Sequence, residues 1–323
     1  MITLTTTVVA RIACVIAVVL ALVALMVQDH APAPTASEAS PSPTAEPPPR
    51  DPPPLRPEPD EVAAARKIED RVRTQLREVS QRAHVAVSFR DEASKATFNY
   101  GSDRFPTASA VKIHFVALMS WRAKQSGAGL TAAQRQDIEQ MLVRSENDPA
   151  NRAYTALGGP AGIEQGLEKA FGSSRIDVGE QFRWGHSMTR PRAVVALLRE
   201  VLDADHRAYA LMQDAMARVV PELRWGIPVL ADGGTDAQVK VGFVQDPDGW
   251  VVNSSGRVIV DDSPVLISVM SDRNATLEGG IATVEQVARL VGDVVRAERA
   301  KRKAQQRALP LLSLLRRSAA HVA

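Results

Sequence analysis

The chain has 323 residues, 45% of them hydrophobic and 24% charged, a globular composition that excludes a collagen-like, coiled-coil or wholly disordered protein. Its net charge of +2 is unevenly spread, because the residues from Arg296 onward hold eight lysines or arginines and one glutamate, while the remainder is mildly acidic. That balance argues against a nucleic-acid-binding protein, whose basic surface usually belongs to the fold itself. The single cysteine, Cys14, precedes the folded part, which therefore has no disulfide, cysteine nucleophile or cysteine-ligated metal.

The N-terminal region predicts export. Residues 1–30 include an apolar run, 8–27, broken only by Arg11 and long enough to cross a hydrocarbon layer of ~30 Å as a helix. We expect an uncleaved single-pass membrane anchor with the domain outside the cytoplasm, and a cleaved signal peptide with a secreted domain is the alternative. Residues 31–60 hold 12 of the 21 prolines and predict an extended spacer. In a bacterium, this arrangement holds the domain near the cell wall.

Residues 61–296 predict one folded domain, followed by a basic C-terminal tail at 297–323. In chain order, the hydrophobic patterns predict a helix over 61–83, a strand over 84–90 with a hairpin partner at 96–100, helices over 109–125, 131–144, 148–157, 161–171, 190–204 and 205–219, strands over 238–245, 250–260 and 265–271, and a final helix from about Thr283. Strands at both ends with helices between them predict an α+β fold, in which one antiparallel sheet packs against a helical subdomain.

Three short motifs carry the candidate chemistry. Ser109 and Lys112 form S-x-x-K at the start of a predicted helix, where a spacing of three places hydroxyl and amine on one face. A serine needs a neighbouring base to become a nucleophile, and a lysine serves when burial lowers its pKa. The chain also has Ser-Glu-Asn at 145–147 and Lys-Val-Gly at 240–242. Each of the patterns S-x-x-K, S-x-N and K-x-G occurs once, so their order is far more specific than any one alone.

With these motifs the chain resembles the penicillin-recognising serine enzymes, the class A β-lactamases and penicillin-binding proteins, which carry S-x-x-K, S-D-N and K-T-G. The resemblance spans about 61–296 and extends to Phe-Pro-Thr-Ala-Ser at 105–109, Asn-Asp-Pro-Ala-Asn at 147–151 and Leu-Gly-Gly-Pro at 157–160. Gly-Gly-Ile-Ala at 279–282 is similar to the actinobacterial serine hydrolase branch of the family. The resemblance implies a β-lactamase/transpeptidase-like fold.

Matched to its motifs, the family implies a role for each catalytic residue. Ser109 is expected to be the acylated nucleophile and Lys112 its general base. Ser145 is expected to pass a proton to the leaving group. The backbone N–H groups of Ser109 and Phe243, the residue after K-x-G, are expected to form the oxyanion hole.

The same resemblance implies substrate-binding residues. Asn147 is expected to hold the amide of the substrate's acyl side chain. Lys240 is expected to supply positive potential for a substrate carboxylate and to tune Ser145. Gly242, with Phe243 after it, completes the strand that borders the substrate.

Several residues depart from the family pattern. Glu146 stands where S-D-N has aspartate. Val241 replaces the threonine of K-T-G, whose hydroxyl binds the substrate carboxylate in the family. The E-x-x-L-N segment that carries the deacylating glutamate of class A enzymes is missing from 179–187. Glu180 is the nearest acid, and we weigh it as a deacylation base against an ordinary surface carboxylate. Trp184 of this segment is equally consistent with lining a cleft and with packing.

We therefore expect an exported serine hydrolase or acyl-transfer enzyme that forms an acyl-Ser109 with β-lactams or peptidoglycan-like peptides and deacylates slowly. The alternative is a non-catalytic wall- or ligand-binding module on the same scaffold. A third reading, an interaction protein that binds anionic lipid or polymer through its basic tail, rests on charge alone. We expect no cofactor or metal, a monomer, a small-molecule or peptide substrate, and a membrane contact through the N-terminal segment.

Overall fold

The computed structural model describes residues 60–173, 175–180, 183–202, 207–231 and 237–320. For residues 207 and 308–320 it describes the backbone alone. The predicted anchor and nearly all of the spacer lie outside these residues. The α-helices are α1 (Asp60–Ser80), α2 (Lys112–Ser126), α3 (Ala132–Val143), α4 (Asn147–Leu157), α5 (Gly159–Phe171), α6 (Pro191–Leu202), α7 (Arg207–Ala217) and α8 (Leu277–Ala320). The strands are β1 (His84–Asp91), β2 (Thr97–Tyr100), β3 (Phe105–Pro106), β4 (Ile176–Asp177), β5 (Met188–Thr189), β6 (Ala237–Asp246), β7 (Gly249–Val260) and β8 (Ser263–Asn274).

The main sheet joins the two ends of the domain, as the sequence predicts. Its five strands are antiparallel in the order β2–β1–β8–β7–β6, with β1 against β8 in a register that sets His84 opposite Asp272. The turn at Asp261–Asp262 connects β7 to β8 with positive φ at both residues, 43° and 60°, a geometry that aspartate tolerates. Strand β6 is an edge strand, and a second sheet of order β3–β5–β4 lies apart from the first.

Two hydrophobic cores lie on opposite faces of the main sheet. One packs the apolar residues of α2–α7 against Ala86, Leu266 and Met270 of the sheet. The other packs α1 and α8 against the opposite face, where Val239 and Val241 of β6 are buried. Each fully buried aliphatic side chain contributes ~1.5–3 kcal/mol to folding, so both cores fix the sheet between its helices. The α+β architecture is confirmed.

The long C-terminal helix begins earlier than the sequence predicts. It begins at Leu277 rather than near Thr283, after Thr276, whose Oγ1 accepts from the Gly279 N–H. The two glycines of its first turn lower helix propensity and hid this start, and Gly280 is needed because a Cβ there would collide with Val252.

The predicted end of the domain at Arg296 falls inside this helix. Arg299, beyond that boundary, is 8% exposed and forms an ion pair of 2.7 Å with the buried Asp91 of β1. Its guanidinium also donates to the carbonyls of Val260 and Ser263. The first residues of the predicted basic tail are therefore part of the packed domain. No helix in the described part of the chain is long and apolar enough to cross a membrane.

Candidate active site

Ser109 lies in a tight turn at the entrance to α2 rather than inside an α-helix. Residues 108–111 form a single 3₁₀ turn, in which Ala108 has a φ of 45°, and Lys112 is the first residue of α2. The two side chains still meet, with Lys112 Nζ 3.1 Å from Ser109 Oγ. The turn leaves Ser109 partly accessible while Lys112 is fully buried.

The loop after α3 brings the second motif to the same point. Ser145 has a φ of 60°, in the left-handed region, and its carbonyl accepts from Lys112 Nζ at 2.6 Å. Asn147, the first residue of α4, accepts from the same nitrogen through Oδ1 at 2.9 Å. Strain of this kind in a non-glycine residue often marks a functional site. Here it turns both the carbonyl and the side chain of Ser145 towards the lysines.

Strand β6 supplies the third motif. Lys240 is 1% exposed, and its Nζ donates to Ser145 Oγ at 2.8 Å and to the Val241 carbonyl at 2.8 Å. Gly242 permits the strand to approach the serine turn, because a Cβ there would lie 2.5 Å from the Thr107 oxygen and 2.9 Å from Ser109 N. A glycine at this position is therefore required by contact and not by backbone angle.

The environment of Lys112 suits a base. Burial lowers the pKa of Lys112 from 10.5 to about 7, and the negative charge of Glu146 opposes part of that fall. A neutral amine has two N–H donors and one lone pair. If the donors serve the Ser145 carbonyl and Asn147 Oδ1, the lone pair is left for Ser109 Oγ. The geometry thus allows Lys112 to take the proton of Ser109 near neutral pH.

The same surroundings disfavour the charged form of Lys240. Burial lowers the pKa of Lys240 well below its ordinary value, and the positive charge of Lys112 lowers it further. Both lysines contact Ser145 Oγ, at 3.4 Å from Lys112 and 2.8 Å from Lys240. Ser145 is therefore placed to pass protons between the two amines and a third group in the cleft.

The segment before β5 places a tryptophan, and not Glu180, against Lys112. The Trp184 ring centroid lies 5.1 Å from Lys112 Nζ, and its Nε1 donates to Asn151 Oδ1 at 2.8 Å. Trp184 is buried, so it shields one side of the amine from water. Glu180 is exposed, and the hydrogen bonds of the described residues do not join its carboxylate to Ser109 or Lys112. Its part in catalysis stays a prediction.

Asn253, which none of the sequence motifs includes, anchors the serine turn to strand β7. This residue of β7 is fully buried, and its Nδ2 donates to the carbonyls of Pro106 and Thr107 at 2.8 and 3.0 Å. The only signal in the sequence was an asparagine within a predicted strand. Such a buried amide is retained where it satisfies backbone groups that would otherwise lack partners.

Phe243 is an exposed aromatic residue on the edge strand β6. Its side chain is 38% exposed, and its ring centroid lies 6.1 Å from that of Trp225. On β6 it follows Gly242, which touches the serine turn, so the aromatic pair borders the same edge strand. Within the described residues, no group of three or more His, Cys, Asp or Glu side chains could hold a metal ion.

Among the comparisons with known proteins, only that with solved structures indicates a fold. No protein-family model and no curated protein matches the sequence. Among solved structures, the TLA-3 extended-spectrum β-lactamase aligns with a TM-score of 0.62 at 14% identity, over 69% of this chain and 98% of its own. The reconstructed class A β-lactamase of the last common ancestor of Gram-negative bacteria aligns with a TM-score of 0.57 at 20% identity, over 68% and 97%. The chain has the β-lactamase-like fold, as the resemblance implied.

Proposed function

We propose that this chain is an exported serine hydrolase or acyl-transfer enzyme that forms an acyl-Ser109 with β-lactams or peptidoglycan-like peptides. The observation that carries the proposal is the 3.1 Å contact between Ser109 Oγ and Lys112 Nζ, where burial brings the pKa of the amine to about 7. The scaffold is shared with class A β-lactamases. Export through an N-terminal anchor, with the domain outside the cytoplasm, belongs to the proposal and rests on the apolar run at 8–27.

Acylation begins with proton transfer from Ser109 Oγ to the lone pair of Lys112 as Oγ attacks the substrate carbonyl carbon. A new C–O bond forms, and negative charge develops on the carbonyl oxygen. Backbone N–H groups at the serine turn and at Phe243 of β6 are the donors that we assign to this oxyanion. Both lie on rigid backbone, since Gly242 and Asn253 lock the strand and the turn together.

The carbon–nitrogen bond of the substrate then breaks, and its nitrogen needs a proton. Ser145 is the donor that we assign, because its Oγ contacts both amines. The proton that leaves Ser109 can pass through Lys112 and the Ser145 hydroxyl to the leaving nitrogen. Lys240 supports the transfer by donating to the same oxygen. The balance of the step is one proton removed from Ser109 and one delivered to the leaving group.

Hydrolysis of the acyl-enzyme is expected to be slow. It needs a base beside the ester to activate water. In the segment 179–187, the ring of Trp184 lies against Lys112, and the carboxylate of Glu180 is exposed. Val241 is buried and brings no hydroxyl to the cleft, which weakens recognition of a substrate carboxylate. These features also favour the alternative, a binding module that has lost turnover.

Intact-mass measurement of the full-length protein after incubation with a fluorescent penicillin tests the proposal. The matched control is Ser109→Ala, which removes one oxygen from a partly accessible side chain. We expect a persistent adduct of the mass of the drug on the wild type alone. Rapid loss of penicillin without an adduct would show an efficient deacylation base and refute slow turnover. A folded wild-type protein that forms no adduct and hydrolyses no penicillin or peptide ester would favour the binding module.

A further inference from the structure

A cavity of about 380 Å³ lies against the small sheet and the start of α6, away from the serine turn. Four arginines line it, Arg104, Arg175, Arg190 and Arg192, with Asp177 as the acidic residue among the lining side chains. Like charges this close repel one another when no counter-charge lies between them. The cavity therefore holds an excess of positive charge that the acid does not balance. We call it the arginine cavity.

Two of these arginines already form hydrogen bonds or ion pairs within the protein. Arg104 pairs with Asp177, and its Nη2 also donates to the Met188 carbonyl at 3.3 Å. Arg190 donates through Nε to the Ser102 carbonyl at 2.7 Å. The contacts found among the described residues leave both Nη groups of Arg190 without a protein acceptor. These contacts fix the two side chains and so preorganise the free N–H groups.

The guanidinium of Arg175 has a buried N–H donor without a hydrogen-bond acceptor among the described residues. Its Nη2 donates to the Phe171 carbonyl at 3.0 Å, whereas Nη1 is buried and has no acceptor within the described part of the chain. A buried charged donor without a partner costs more than ~1–3 kcal/mol. The backbone of Arg175 is held with a φ of 60°, and its carbonyl accepts from Thr189 Oγ1 at 2.5 Å. The side chain is thus built into a position where its own fold leaves a donor unmet.

The groups around Arg175 do not remove its charge. Burial lowers the pKa of Arg175, while Glu200 raises it and Arg199 lowers it. His114 lies behind it, fully buried, and burial together with the Arg175 charge lowers the pKa of His114 to about 3. That histidine is neutral at physiological pH and offers no counter-charge. The nearby charged side chains therefore leave the cavity positive.

Helix α6 adds a favourable dipole. Its first residue is Pro191, and Arg192 and Ala193 of its first turn line the cavity. The positive end of a helix dipole attracts an anion, and the Arg192 side chain is exposed at the mouth. The arginines and the start of α6 therefore place positive charge around one space.

We propose that the arginine cavity binds a phosphate group, either as inorganic phosphate or as the phosphate of a monoester. Guanidinium forks match the oxygens of a tetrahedral phosphate, and a dianion balances the excess charge better than a carboxylate does. The free Nη groups of Arg190 and the Arg192 guanidinium are the donors that we assign, and the partly buried Arg175 guanidinium adds positive charge beside them. The site is separate from Ser109 and stands whether or not the proposed acylation occurs.

Isothermal titration of the full-length protein with inorganic phosphate and with glycerol 3-phosphate tests this site, in buffers matched for ionic strength with sodium chloride. Arg192→Ala is the main variant, because this exposed side chain can be shortened without disturbing the core. Arg71→Ala on α1 is the control, since it removes the same charge from an exposed position outside the cavity. A second variant, Arg175→Gln, removes the unmet donor.

We expect phosphate to bind the wild type and Arg71→Ala equally, and Arg192→Ala to bind it about tenfold more weakly, the effect of losing one charged hydrogen bond. Arg175→Gln, if folded, should also lose affinity, because it removes one positive charge from the lining of the cavity. Binding of glycerol 3-phosphate as well would extend the site to monoesters. Absence of heat with wild type at millimolar phosphate, or equal affinity in Arg192→Ala and Arg71→Ala, would overturn the proposal.

Discussion

The pH dependence of Ser109 acylation is the most direct test of the assigned base. The pKa of Lys112 is about 7, and only its neutral form can accept the proton of Ser109. About nine-tenths of the amine is neutral at pH 8 and about one-hundredth at pH 5, so the rate should fall roughly ninety-fold between them. The sign is fixed by burial, since a depressed lysine pKa makes activity rise with pH through neutrality and level off above pH 8.

A fluorophosphonate that reacts with activated serines is a suitable probe, because it needs little recognition of an acyl side chain. Second-order labelling rates would be measured by intact mass from pH 5 to 9 at constant ionic strength. A flat profile, or a midpoint above pH 9 as for an ordinary lysine, would refute Lys112 as the base.

The variant Lys112→Met separates the base from the fold. It should abolish labelling while keeping an apolar side chain of similar length in a fully buried position. Lowering the pKa of Lys112 from 10.5 to about 7 corresponds to ~5 kcal/mol, which the wild type loses from its folding free energy below pH 7. The variant should therefore unfold at a higher denaturant concentration than the wild type at pH 5. If the variant is less stable than the wild type at that pH, the charged form of Lys112 does not destabilise the folded state.

Three further outcomes follow from named contacts. Glu146→Gln removes the negative charge that raises the pKa of the lysine base, so the midpoint of the labelling profile should move to lower pH. Gly242→Ala should slow labelling about a hundredfold by displacing the serine turn, whereas Gly185→Ala, whose Cβ would lie 3.8 Å from its nearest neighbour, should leave the rate unchanged. Asp91→Ala leaves Arg299 buried without its partner and should cost ~3–5 kcal/mol in denaturant unfolding, which a loss of under 1 kcal/mol would disprove.

Much of the fold could be predicted from the order of the hydrophobic patterns. Alternation near both ends of the domain predicted one antiparallel sheet, and β1 pairs with β8 along its full length. The helix predicted over 131–144 is confirmed, and it begins with a capping box between Thr131 and Gln134, a signal that is local in residue type and spacing. Local signals failed where a distant contact decided the structure. The helix start at Leu277 depends on Gly280 packing against β7, which no local pattern shows.

The candidate site divides in the same way. Single-copy motifs identified Ser109, Lys112, Ser145 and Lys240, because the residue types that such chemistry needs recur at fixed spacings. The same pattern could not show that Trp184, and not Glu180, contacts Lys112. That contact joins residues 72 positions apart, so it exists only once the segment before β5 has folded over α2.

By itself, the sequence determined which side chains are available for chemistry and which elements would carry them, since periodicity and motif spacing are properties of the local chain. The tertiary structure decided their protonation and their distances. Lys112 is an ordinary lysine in the sequence, and its pKa falls to about 7 only because strand, turn and helix bury it beside Ser109. The arginine cavity arose in the same way, from residues on separate segments whose charges the fold brings together. Burial and long-range contact set electrostatic energies, and neither can be read from a single stretch of chain.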